Sequence, residues 1–277
     1  MRRFMKDLLI MGAIGASALW TAQQVVRRRR WFEYSGRSVI VTGGSRGLGL
    51  LIARELIAVG ARVAICARTT EDVHAAVEEL RIDGGQVFGM VCDVRNRDAV
   101  QSFVDSTVAQ HGGVDVLFNV AGVMKVGPLD EMTEEDFREA MEINCWGSLH
   151  TMLAVLSVMR ERGWGRIVNV ASIGGSTPLI SMNAEGAARQ ILRACQNGDG
   201  EVYISNVLSP VVWATRLAPT LTGEILALVN RLLPTPGGIG QNTAFGDESQ
   251  SALSPSILTA LSQKAAARNN ELRPRRA

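Results

Sequence analysis

The sequence predicts an α/β fold, a Rossmann-like doubly wound parallel sheet, and three observations carry that expectation. Short β-branched runs alternate with amphipathic ones from residue 37 to residue 171, which is the pattern of strands covered on both faces by crossover helices. The first such run leads directly into Gly43, Gly44, Gly47 and Gly49 and from there into a helical pattern. The composition, 47% hydrophobic and 20% charged over 277 residues, is that of an ordinary globular chain. The organisation read from it is an extension over 1–30, one nucleotide-binding domain over 31–263 and a basic polar tail over 264–277. Beyond residue 171 the alternation weakens, and whether part of the second half of the sheet is lacking stays open.

Each element has a local reason. Residues 38–42 (SVIVT) form a short apolar strand. A helix over 48–59 follows, with Gly60 placed to stop it. Strand, glycine-rich turn and helix together grip a pyrophosphate, because bare glycines let the backbone approach and the free N–H groups of the helix start favour negative charge. A strand is expected over 62–67, a helix over 71–82 and the turn Asp83-Gly84-Gly85. A strand over 87–92 comes next, then a helix over 97–110 closed by Gly112 and Gly113, and a strand over 114–119. Thr133 caps the next helix, whose first turn holds acids at 134, 135 and 136 to suit its positive end, and the helix runs to about residue 162. A fifth strand covers 166–171. Weaker signals place a helix over 184–196, a sixth strand over 201–207 and a helix over 223–233. Turns follow over 234–240, a loop over 246–256 and a helix over 256–267, before a mobile tail.

Charge is distributed unevenly. The net charge is +2, yet residues 1–30 carry seven bases and one acid and residues 264–277 five bases and one acid, leaving 17 bases and 25 acids between them. The acidic body speaks against nucleic-acid binding. Residues 8–21 form an apolar run flanked by Arg2, Arg3 and Lys6 on one side and Arg27–Arg30 on the other. Three readings stay open for it. An interfacial or single-pass membrane anchor with the arginines on the cytoplasmic side fits the charges best. The others are a disordered or packed extension, and an export signal ending near Ala16-Ser17-Ala18. The cysteines at 66, 92, 145 and 195 show no CxxC spacing and the histidines at 74, 111 and 150 are scattered. No metal site is expected, and all four thiols read as reduced core residues of a cytoplasmic protein.

Five stretches resemble the short-chain dehydrogenase/reductase family over roughly residues 37–175. They are TGGSRGLG at 42–49, Cys92-Asp93-Val94, NVAG at 119–122, Asn144 within EINCWG, and Ser172 after IVNVA. The resemblance implies that Gly43, Ser45, Arg46, Gly47, Leu48 and Gly49 hold a nicotinamide cofactor, and that Asp93 and Val94 contact its adenine. Asn119, Ala121 and Gly122 would line it, Asn144 would brace a proton relay, and Ser172 would donate to a substrate carbonyl. An NAD-type site places an acid at the end of the second strand. Here that strand ends Cys66-Ala67-Arg68, so Arg68 and Arg46 are read as a fork for a 2′-phosphate, and NADP is expected rather than NAD. The family is usually dimeric or tetrameric, which leaves a homo-oligomer open.

The family's proton donor is a tyrosine followed by a lysine one helical turn later, the lysine lowering the tyrosine pKa. This chain has two tyrosines, Tyr34 and Tyr203, and three lysines, Lys6, Lys125 and Lys264, and no Tyr-x-x-x-Lys. Counted onward from Ser172, the pair falls near Glu185 and Arg189. Either a block is missing between Thr177 and Asn183, or the helix remains with its pair replaced, residues 209–215 then standing over the nicotinamide. The function expected is hydride transfer between NADP(H) and an alcohol or carbonyl substrate with a compromised proton donor. The alternative is an inactive nucleotide-binding scaffold or sensor.

Overall fold

The computed structural model describes residues 15, 17–18, 20–82, 84–125, 132–171, 184–204, 208–222 and 224. Ser172, the segment 177–183, residues 205–207, most of the apolar run over 8–21, and the elements and tail expected beyond 224 lie outside them. Five parallel strands, β1 (Ser38–Thr42), β2 (Arg62–Ala67), β3 (Gln86–Val91), β4 (Val116–Asn119) and β5 (Arg166–Asn169), stand in the order β3-β2-β1-β4-β5. The order reverses between β1 and β4, which opens a crevice at the strands' C-terminal ends.

Residues pointing alternately to the two faces of the sheet build two cores. Val39, Val41, Val63, Ile65, Val116 and Phe118 pack on one side. There α2 (Gly47–Ala58) and α3 (Thr70–Ile82) contribute Leu50, Leu56, Val73 and Leu80. Ile40, Ala64, Cys66 and Leu117 face the other side. They meet Phe103 of α4 (Arg97–His111) and Val155 of α6 (Ser148–Glu161). Both faces are therefore covered, and the short β1 is buried along its whole length, its polar ends Ser38 and Thr42 included. Apart from the helix expected from 133, each strand and helix expected up to residue 171 is present, with ends shifted by at most two residues. Gly60 follows α2 at φ 78°, with its N–H on the Ile57 carbonyl at 2.9 Å.

The helix expected from 133 to 162 is interrupted. It divides into α5 (Glu134–Met141), a π-helical turn (Glu142–Gly147) and α6. The extra residue of a π turn coincides with two tertiary ties. Asn144 is bonded to the backbone of Val123, and a Cβ at Gly147 would lie 2.6 Å from Val94 Cγ2. Cys145 in this turn is exposed, whereas the sequence reading placed all four thiols in the core; Cys66, Cys92 and Cys195 are buried. Of the expected sixth strand, the described residues 201–204 are not a strand. Glu201 and Tyr203 turn instead to Arg216 of α8 (Leu208–Leu217).

A right-handed crossover running outward from β5 would put its helix on the α4–α6 face. The next described helix, α7 (Ala184–Asn197), instead lies on the opposite face, burying Ala188, Ile191 and Leu192 in the core shared with α2. Arg189 of α7 pairs with Glu55 of α2 at 3.1 Å. On the α6 side Ile167 and Leu153 stay 36% and 47% exposed. Residues 20–30 form a further helix, α1. Its Arg27 makes a two-pronged bond to Asp199 at 2.7 and 2.8 Å, and Arg30 donates to the Gly198 carbonyl. Among the described residues no helix is long and apolar enough to cross a membrane.

Candidate functional site

The turn between β1 and α2 is shaped by what its glycines exclude. Gly43 adopts φ 65°, and a Cβ there would sit 2.9 Å from the Ala121 Cα. A Cβ on Gly49 would come within 2.2 Å of the Gly43 carbonyl oxygen. These contacts close the turn tightly over the start of α2. The helix itself opens without help: Arg46 precedes it in extended conformation with no side-chain cap, and its first turn holds no acid. By contrast α4 is capped by Asn96, which accepts from two backbone N–H groups, and α5 carries a Thr133–Asp136 capping box. The positive end of α2 thus keeps its N–H groups unclaimed by any capping side chain.

Above this turn lies a cleft of about 800 Å³. Gly43, Ser45, Arg46, Gly47, Leu48 and Gly49 line it from the β1–α2 side. Arg68 lines it beyond β2, Asp93 and Val94 beyond β3, Ala121 and Gly122 beyond β4, and Asn144 from the π turn. Asn119 does not reach it. Its side chain is buried beneath, where its Nδ2 donates to Asn169 at 2.9 Å and its Oδ1 accepts from Thr151 at 2.6 Å. Asn119 therefore ties β4 to β5 and α6. Asn144 faces the loop after β4: its Oδ1 accepts from the Val123 N–H and its Nδ2 donates to the Val123 carbonyl, both at 2.9 Å. One carboxamide thus fixes residue 123 as a neighbouring strand would.

The charges at the rim are arranged in two groups. Asp93 is forked by Arg95 at 2.6–3.1 Å, which together with Arg68 holds its carboxyl below the usual range. Lys125 bridges Glu139 at 2.8 Å and Asp136 at 3.1 Å, and Arg68 Nη1 stands 4.0 Å from Glu139. Beneath them, hydrogen bonding to Cys92 and burial hold the Cys66 thiol well above its ordinary pKa. The sequence reading missed Lys125, Asp136 and Glu139 as neighbours of the site, together with Asp72, which also lines the cleft. It missed too the Thr42 hydroxyl, which accepts from the N–H groups of Val120 and Ala121 at 3.1 Å. The available signal was the i, i+3 spacing of the two acids Asp136 and Glu139 on α5.

Neither tyrosine lines the cleft. Tyr34 is buried, its hydroxyl donating to the Leu192 carbonyl at 3.0 Å, and burial pushes its pKa far up. Tyr203 donates to the Glu201 carboxylate and accepts from Arg216.

Comparison with known proteins adds the following. A family model described as short chain dehydrogenase matches residues 37–196. The chain is 40% identical over 143 residues to the "Putative ketoacyl reductase" of Streptomyces coelicolor, covering 51% of this chain and 55% of that protein. It is 33% identical over 212 residues to the D-threitol dehydrogenase of Mycolicibacterium smegmatis, covering 74% and 81%. The crystal structure of a short-chain type dehydrogenase/reductase from Mycobacterium marinum aligns with a TM-score of 0.48 at 30% identity, covering 50% and 56%. The chain thus spans about half the length of the first of these relatives and of the solved structure.

Proposed function

We propose a function for this chain from the premise that it belongs to the short-chain dehydrogenase family: it binds NADP(H) and passes hydride to or from an alcohol or carbonyl group, slowly for want of a proton donor. The observation that carries the cofactor reading is a glycine-floored cleft with Arg68, and no acid, at the end of β2. The residues present fit the group. The close approaches at Gly43 and Gly49 leave main chain bare on the cleft side, and the uncapped start of α2 suits a pyrophosphate. Arg46 and Arg68 are the cations for a 2′-phosphate. Nicotinamide, when bound, gives or takes the hydride. Ala121 and Gly122 line its path, and Asn144 fixes the loop after β4. Ser172, beyond the described residues, donates its hydroxyl to the carbonyl oxygen and steadies the developing alkoxide. The alcohol or carbonyl class follows the names of the reductase and dehydrogenase relatives.

A second reading, nucleotide binding without turnover, has its own support. The 277 residues contain no Tyr-x-x-x-Lys, and Tyr34 and Tyr203 are both engaged away from the cleft. The placement of α7 against α2 also favours a block missing between Thr177 and Asn183 over a helix with its catalytic pair replaced. Loss of a general acid lowers rates by about 10²–10⁴-fold, so the two readings differ in whether any rate remains.

The test is a fluorescence titration with NADPH followed by its oxidation against a panel of aldehydes and ketones. Turnover that disappears in Ser172→Ala supports the first reading, and tight binding without turnover supports the second. Arg68→Asp is expected to weaken NADPH about 10–100-fold more than NADH, the worth of a lost charge-assisted contact. Equal weakening of the two would refute the 2′-phosphate assignment.

A further inference from the structure

We propose that Lys125 is a positioning residue for cofactor choice: it draws the Glu139 carboxylate off Arg68, whose contact with it is left at 4.0 Å, so that Arg68 can meet a 2′-phosphate. The inference rests on the reading that the cleft takes NADP(H). Its basis is a competition visible in the geometry. Glu139 has two cations within reach, with Lys125 Nζ 2.8 Å from one carboxylate oxygen and Arg68 Nη1 4.0 Å from the other. The shorter contact wins, and Lys125 is anchored a second time by Asp136 at 3.1 Å. Asp136 lies one turn earlier on the same face of α5, where the Thr133 capping box fixes it. The clamp therefore has a rigid base, and Lys125 and Arg68 both line the cleft. Among the described residues, Glu139 is the partner in the one ion pair that Arg68 makes.

Without Lys125, the cations left to Glu139 are Arg68, the one within ion-pair distance, and more weakly Arg95. An arginine–carboxylate pair would then occupy the guanidinium that the phosphate needs, and the carboxylate would repel the phosphate directly. NADH lacks the 2′-phosphate and would not sense the change.

The experiment measures dissociation constants of NADPH and NADH for the full chain, with thermal melts to confirm folding. Lys125→Met is expected to raise the NADPH constant about tenfold while the NADH constant moves less than about twofold. Adding Glu139→Gln should return NADPH binding to within about threefold of the starting chain, since the competing charge is gone. Glu139→Gln alone should leave NADPH binding equal or tighter. If the double variant stays weak, Lys125 touches the phosphate itself and the proposal is wrong. If Lys125→Met weakens NADPH and NADH alike, the lysine only steadies the loop and the proposal is again wrong. A starting chain that binds NADPH no better than NADH would instead refute the cofactor assignment. The clamp would still be judged without ligand: the Glu139 carboxyl carbon, followed by NMR, should titrate below the ordinary glutamate range in Lys125→Met and return toward it in Lys125→Met/Arg68→Ala. An ordinary titration in the single variant would show that Arg68 does not take over the carboxylate.

Discussion

A methyl group at residue 49 has nowhere to go, since it would meet the Gly43 carbonyl oxygen at 2.2 Å, a backbone atom that cannot swing aside. Gly49→Ala is expected to lower the unfolding free energy by about 1–3 kcal/mol, the usual penalty for forcing volume into a closed site. It should also abolish NADPH binding; denaturant unfolding and the fluorescence titration read the two effects separately. At this scale the site was legible where the requirement is a local one of backbone. The spacing of 43, 44, 47 and 49 announces a tight turn because only glycine tolerates it. The place of Arg68 at the cleft was legible because it directly follows a strand. Lys125 and Glu139 were not, because they lie 14 positions apart in the chain. Asn119 was misplaced, since sequence position alone does not say whether a strand-end amide faces the cleft or the neighbouring strand.

The segment from Thr133 to Glu161 shows what an element adds beyond its residues. Its start was readable from Thr133 and three acids. Its π turn was not, since the ties that accompany it, Val123 and Val94, come from distant loops. The start of α5 carries a pH prediction. The Thr133 hydroxyl and backbone, with Lys125, hold the Asp136 carboxyl down at about 2 against an ordinary 3.8. A depressed carboxyl stabilises the fold fully above its unfolded pKa, and the contribution is lost as pH falls through the folded value. The unfolding free energy should therefore decline between about pH 4 and pH 2, and Asp136→Asn should flatten part of that slope when denaturation is repeated across the range. An unchanged slope would mean that the capping box does not couple to global folding.

Across the whole molecule, a parallel sheet covered on both faces was legible in the alternation, but the order β3-β2-β1-β4-β5 was not, because crossover handedness does not say where the order reverses. Nor was the position of α7, because a helix with one apolar stripe suits either face, and only contact with α2 chose between them. The uncovered Ile167 and Leu153 are the counterpart of that choice on the α6 side. The fastening of α1 was equally hidden: Arg27 and Asp199 lie 172 positions apart. Asp199 is largely buried while Arg27 is about one-third exposed, so the tie is worth about 1 kcal/mol at most for overall stability. Its effect is local. Asp199→Asn is expected to leave the unfolding midpoint nearly unchanged but to speed tryptic cutting within the run Arg27–Arg30, as followed by mass spectrometry. Equal cutting rates would show that the helix is held by something other than this pair.

A helix that already houses a surplus residue can surrender it. Removing one position between 142 and 147 would let the widened coil close to regular pitch while Phe103, Val155 and their neighbours keep their mutual phase. What would vanish is the amide hand that Asn144 extends to the loop. The bulge thus separates two duties along one rod, cohesion of the protein's interior and the aim of a surface segment, so that a single deletion could erase the second and spare the first.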